Sequence, residues 1–95
     1  MIKKFKKFNN EQKTLKLKEH LQQLIGKYVQ LIKMDDPYGI KPGTIGIIYQ
    51  IDDINNIFVR WENGETLALI PEIDEYRILS DKEVDKYKKI KKFNL

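Results

Sequence analysis

The run Arg60-Trp61-Glu62-Asn63-Gly64-Glu65-Thr66-Leu67-Ala68-Leu69-Ile70-Pro71 constrains this chain more than any other stretch. Asn63-Gly64 suits a two-residue type I′ turn, in which both central residues adopt positive φ. Ahead of it, Ile57, Val59 and Trp61 alternate with Phe58 and Arg60. Behind it, Leu67 and Leu69 alternate with Thr66 and Ala68. A period of two marks strands with one buried face. The middle of the chain is therefore expected to be β, built around a hairpin, and this run carries no catalytic apparatus.

Two more strands are expected before the hairpin and one after it. Lys27–Met34 has Val29 and Leu31 inward. Thr44–Ile51 contains Gly46, where a bend or a close backbone approach is expected. Tyr76–Leu79 closes the set. Between the first two lies Asp35-Asp36-Pro37-Tyr38-Gly39-Ile40-Lys41-Pro42-Gly43, whose two prolines and two glycines exclude regular structure. Asp52-Asp53-Ile54-Asn55-Asn56 and Pro71-Glu72-Ile73-Asp74-Glu75 read as turns. Five short strands with a long first loop and a glycine-bent second strand predict a small SH3-like barrel, in which closure removes exposed edges. An open five-stranded sheet is the alternative.

Helices are expected on both sides, so the fold class is mainly β with flanking helices (α+β). Residues 1–26 form a basic amphipathic helical segment, with a helix from about Asn10 to Ile25 capped by Asn9 or Asn10. Leu17, Leu21, Leu24 and Ile25 make its apolar stripe, and Gly26 ends it. Residues 27–79 form the β domain. Residues 80–95 form a basic C-terminal helix that opens on the capping box Ser80-Asp81-Lys82-Glu83 and carries Val84, Tyr87 and Ile90 on one face. Ile2, Phe5 and Phe8 either extend the first helix or form a packing arm.

Charge divides along the same boundaries. Residues 1–27 hold eight lysines against Glu11 and Glu19, a net +6; residues 28–79 carry four cations against nine carboxylates, a net −5; residues 80–95 hold six lysines against three carboxylates, a net +3. The total is +4. An anion-binding role on this acidic middle must therefore borrow charge from the ends or from another subunit. The 95 residues include no cysteine, which excludes disulfides and thiolate metal sites. No apolar run is long enough for a membrane span or a signal-peptide core. The chain is accordingly expected in the cytoplasm, away from membranes.

Catalysis finds little support. His20 is the one histidine, and it falls on the surface of the first helix. Asp35-Asp36 and Asp52-Asp53 read as turn formers rather than as metal ligands. No phosphate-binding glycine loop precedes a helix. No enzyme activity, cofactor or metal is expected.

The order of short motifs is more specific than any one of them. Met34, Asp36-Pro37-Tyr38, Pro42-Gly43-Thr44 and Gly46 are followed by Asp52-Asp53, Trp61-Glu62-Asn63-Gly64, Leu67-Ala68-Leu69-Ile70-Pro71 and Asp74-Glu75-Tyr76. Over about residues 26–79 this resembles the family catalogued as domain of unknown function 4314, short proteins of phages and mobile elements. Glu62 stands where aspartate is commoner, and Asn55-Asn56 stands where glycine is often found. The two lysine-rich ends lie outside this resemblance. It implies a phage or mobile-element origin and a small β-barrel, without a settled activity.

The candidate ligand-binding residues are Tyr38, Arg60, Trp61, Lys33, Lys41 and Asp36. Trp61 is either a core anchor or a stacking surface. Tyr38 sits in a loop that needs no structural aromatic. Arg60 offers a planar, bidentate fork to a phosphate or to a carboxylate on a neighbouring strand. The expected function is a non-catalytic binding module, in the form of an anti-defence protein that sequesters a nucleotide immune signal in a homo-oligomer. There, basic helices of one subunit would complete a pocket on another. Tyr38 or Trp61 would stack on a base, Arg60, Lys33 and Lys41 would meet phosphates, and Asp36 would accept from a ribose or base edge. The alternatives are a nucleic-acid-binding accessory protein and an adaptor that inhibits a host protein.

Overall fold

The computed structural model describes residues 17–93. Residues 17–22 are helical (α1). Four strands follow, β1 (Tyr28–Lys33), β2 (Ile45–Ile51), β3 (Ile57–Trp61) and β4 (Glu75–Ile78), and then a helix, α2 (Asp81–Phe93). The strands form one antiparallel sheet in the order β3-β2-β1-β4. The cap at Asn9 or Asn10 and the Ile2/Phe5/Phe8 arm lie outside the described residues.

The inner face of the sheet carries the core. Val29 and Leu31 of β1, Ile48 and Ile51 of β2, and Ile57, Val59 and Trp61 of β3 are all buried there. α1 closes this face from one side. Leu21 and Leu24 are buried in it, and Leu17 packs against it. The leucine stripe is therefore covered by the chain's own sheet. Ile25 turns away and is exposed. α1 also stops short of the expected end, because residues 23–26 tighten into turns. Gly26 supplies the positive φ of 90° that reverses the chain, and its N–H donates to the Ile48 carbonyl at 2.7 Å.

The expected five-stranded closed barrel is not what forms. The fourth of the five expected strands, after Asn63-Gly64, is reduced to a single bridge, in which Ile57 and Leu69 exchange two backbone hydrogen bonds of 2.8 Å. The cause lies in Trp61. Its ring is buried, and its indole Nε1–H donates to the Leu67 carbonyl at 2.7 Å. A side chain thus takes the acceptor that a strand ladder would have used, and residues 66–68 pass β3 without a bridge. β3 and β4 remain the sheet's two edges.

The turn itself also differs from expectation. Only Gly64 takes a positive φ there, of 85°. Gly64 N–H donates to the Trp61 carbonyl at 2.9 Å, and Trp61 N–H to the Glu65 carbonyl at 3.4 Å. This is a three-residue loop, a type I turn closed by one left-handed residue, rather than type I′. The β2–β3 connection repeats it. Asn55 N–H donates to the Asp52 carbonyl, Asp52 N–H to the Asn56 carbonyl, and Asn55 has φ 65°. The Asp52 carboxylate holds that loop by accepting from the backbone N–H groups of Ile54 and Asn56.

Gly46 is the close approach that its place in β2 suggested. A Cβ there would run into Val59 Cγ1 and sit 2.7 Å from the Arg60 carbonyl oxygen. Asp74, the one buried charged side chain among the described residues, pins two loops together. Its carboxylate accepts from the N–H of Asp35 at 3.0 Å and from that of Ile70 at 2.9 Å.

Candidate functional site

The outer face of the sheet has a different composition. Period-two alternation places Tyr28 and Gln30 of β1, Ile45 and Ile47 of β2, Phe58 and Arg60 of β3, and Arg77 of β4 on this side. α2 lies against part of it. The helix begins with the capping box read from sequence: Glu83 N–H donates to Ser80 Oγ at 3.2 Å, and Ser80 N–H donates to Glu83 Oε1 at 3.1 Å. Arg77 fixes this helix end to the sheet. Its Nη2 bonds Glu83 Oε2 at 2.5 Å and its Nε bonds Gln30 Oε1 at 2.9 Å. The Arg77 hydrogen bond, followed by the Ser80 backbone N–H, pulls the Glu83 carboxyl down to about 2.

Tyr87 anchors the next turns of α2. Its ring meets Tyr28 edge-on, with centroids 6.0 Å apart at 64°. Its hydroxyl donates to Glu62 Oε2 at 2.7 Å, while Glu62 Oε1 accepts from Ile45 N–H. Burial first, and then the Glu62 carboxylate, push the Tyr87 phenol up to about 12. The Tyr87 hydroxyl therefore stays protonated through the physiological range and serves as a fixed donor to Glu62.

Between α2 and the sheet lies a groove of about 280 Å³, floored by Tyr28, Ile45, Gly46 and Ile47 and flanked by Arg60, Glu62, Tyr87, Lys88 and Lys91. Three of its flanking side chains are cations. Each lies over an aromatic ring: Arg60 over Tyr49 at 5.1 Å, Lys88 over Tyr28 at 5.6 Å and Lys91 over Tyr87 at 5.7 Å. The ion pairs among the described residues are Lys18–Asp53 and Arg77–Glu83, so none of the three has a carboxylate partner there. The one acid in the groove, Glu62, is occupied by Tyr87 and Ile45. The groove is thus a cationic, aromatic-lined surface with unused N–H donors.

Of the six residues singled out from sequence, only Arg60 lines this groove. Trp61 is 3% exposed and takes the core-anchor alternative, so a base has no face of it to stack on. Tyr38 is 92% exposed at the tip of the long loop. Asp36 builds that tip, accepting from Tyr38 N–H at 2.9 Å through its side chain and from Gly39 N–H at 3.0 Å through its carbonyl. Lys41 is exposed in the same loop, its carbonyl held by the Thr44 hydroxyl at 2.7 Å. Lys33 is exposed at the end of β1. Asp36 borders a separate cleft of about 250 Å³ with Met34, Leu67 and Ile70. The structure does not gather these residues into one pocket.

The residues that sequence reasoning missed are Tyr28, Tyr87, Lys88 and Lys91. A signal for them existed: an acidic middle that has to borrow charge from its ends. Within one chain, α2 brings Lys88 and Lys91 beside this acidic middle.

Residues 10–79 match the family described as Domain of unknown function (DUF4314). The chain belongs to that family. The match runs further toward the N-terminus than the motifs alone indicated, so the segment leading into α1 is part of the family domain, whereas α2 lies beyond it. No curated protein and no solved structure matches the chain significantly. The groove therefore combines a family-domain floor with two lysines from outside the matched region. Among the described residues, no three His, Cys, Asp or Glu side chains are grouped to hold a metal ion, and no helix is long and apolar enough to cross a membrane.

Proposed function

We propose that this protein is a non-catalytic binding module that holds a phosphate-bearing ligand of nucleotide chemistry in the groove between α2 and the sheet. The observation that carries this reading is the convergence of Arg60, Lys88 and Lys91, without carboxylate partners among the described residues, on a floor made by Tyr28, Ile45 and Ile47. Arginine presents paired donors that match phosphate oxygens, and the two lysines add point charges one helical turn apart. The same chain supplies all three, so the reading needs no oligomer. Sequestration of a nucleotide signal in an anti-defence role is the biological form in which such a module would act.

The test is native mass spectrometry of the purified protein with a mixture of mononucleotides, cyclic dinucleotides and short oligonucleotides. Retention of a phosphate-bearing ligand by the wild type and its loss from Arg60→Ala and from Lys88→Ala is the expected result. A protein that retains none of them, or retains them equally with both substitutions, overturns the groove assignment.

A further inference from the structure

Beyond Arg60 the outer face continues into a second surface that the groove does not include. Tyr49 and Phe58 stand there with ring centroids 6.2 Å apart, tilted at 53°. Tyr49 is 38% exposed, although it lies in a strand whose inner neighbours are fully buried. Period-two alternation places it on the outer face with Ile45 and Ile47, and a break in register adds Gln50 beside it. β2 and β3 pair Ile48 with Val59 and then Gln50 with Phe58, which leaves Tyr49 as the extra residue of a bulge. The bulge points Tyr49 and Gln50 to solvent in succession and returns Ile51 to the core. An aromatic half-exposed beside a bulge, beneath an arginine without a carboxylate partner among the described residues, is an unusual thing for a fold to build for packing alone.

The geometry points to a binding path for single-stranded nucleic acid that runs from the α2 groove across Arg60 to the Tyr49–Phe58 platform. This inference rests on the groove reading above and names its ligand more narrowly. Three observations converge on it. The groove, of about 280 Å³, is open to solvent, so a ligand seated there can extend onto the surface beside it. Arg60 belongs to both parts, lining the groove and lying over the Tyr49 ring. Cations along one path with exposed aromatic rings beside them are what a single strand requires: phosphates meet the cations, and unstacked bases lie on the rings. A duplex keeps its bases stacked inside and gains nothing from Tyr49.

Fluorescence anisotropy with a labelled deoxythymidine decamer, with thymidine triphosphate as competitor, tests this on the full chain. The decamer is expected to bind at least ten-fold more tightly than the triphosphate. Tyr49→Leu keeps the site apolar but removes the stacking face, and it is expected to weaken the decamer about five-fold or more. Arg60→Gln is expected to weaken both ligands. With three phosphate contacts, the logarithm of decamer affinity should fall against the logarithm of salt with a slope of about −2, roughly a fifteen-fold loss between about 50 and 200 mM. Equal affinity for decamer and triphosphate, or a Tyr49→Leu protein with unchanged decamer affinity and a native circular dichroism spectrum, overturns the strand path and leaves the groove reading standing. Equal binding of duplex and single strand overturns it as well. Failure to bind either ligand, or indifference to Arg60→Gln, overturns both readings.

Discussion

At the β4 edge of the outer face, Arg77 directs its guanidinium to Gln30 and Glu83 and ties α2 to the sheet. At the β3 edge, Arg60 lies over Tyr49 with no carboxylate partner among the described residues. These are the only two arginines in the chain, and both stand on the same face of one sheet. What separates them is what the chain brings opposite. The capping box places Glu83 six residues after Arg77, so that pairing is local. Arg60 faces the later turns of α2, where lysines stand. The outer face therefore has a structural half and an available half, with Tyr87 and Glu62 at the boundary.

The largest effect is expected at Trp61, the neighbour of Arg60 on the opposite face. If β3 stabilises the fold through its inner side alone, Trp61→Ala should cost about 3–5 kcal/mol, seen as a large drop in the denaturant midpoint. The indole hydrogen bond to Leu67 is lost in the same step. A loss below about 1 kcal/mol would mean that residues 65–69 do not depend on Trp61.

Next comes Gly46, which belongs to both faces. Its Cα borders the groove, and its missing side chain leaves room for Val59 and the Arg60 carbonyl. Gly46→Ala should destabilise by about 1–3 kcal/mol through overpacking. It should also displace Arg60, so chemical shifts of β3 amides should move on both faces. A variant of unchanged stability would break the assignment of a close approach.

The structural half is tested by pH. The Glu83 pKa is lowered on folding from 4.5 to about 2. A lowered carboxyl pKa means that the ionised form binds better in the folded state, so its contribution is complete above pH 4.5 and disappears as pH falls toward 2. Both side chains of the pair are well exposed, which screens the effect and keeps it small. Wild type should therefore exceed Glu83→Gln in Tm at neutral pH, and the two should converge between pH 4.5 and 2. A gap that persists unchanged to pH 2 would assign the difference to packing instead.

The smallest expected effect is on the available half. Arg60→Ala should alter folding stability by no more than about 0.5 kcal/mol, because the residue is exposed and holds no structural partner except the Tyr49 ring. Thermal denaturation checks this. A large loss of stability would place Arg60 with Arg77 as a structural residue and remove the distinction.

Much of this architecture was legible in short stretches of sequence. Alternation at Val29/Leu31 and at Ile57/Val59/Trp61 located the strands and their buried face. Ser80 and Glu83 wrote the start of α2, Gly26 the reversal before β1, and Gly46 a close approach. Except at Gly46, whose close neighbours Val59 and Arg60 lie on the next strand, the cause acts within a few residues, through backbone sterics, a capping hydrogen bond or the period of the side chains. Only the tertiary structure decided the rest. The fourth expected strand shrank to one bridge, where the Trp61 indole takes the Leu67 carbonyl, a competition between side chain and ladder that alternation does not reveal. The leucines of α1 found their partners on the chain's own sheet. Arg60 met Lys88 and Lys91 across about thirty residues of chain, because α2 packs back onto the outer face through Tyr28 and Tyr87. Local codes set the elements; which surfaces meet depends on the summed fit of faces far apart in sequence, and the candidate site lies at one of those meetings.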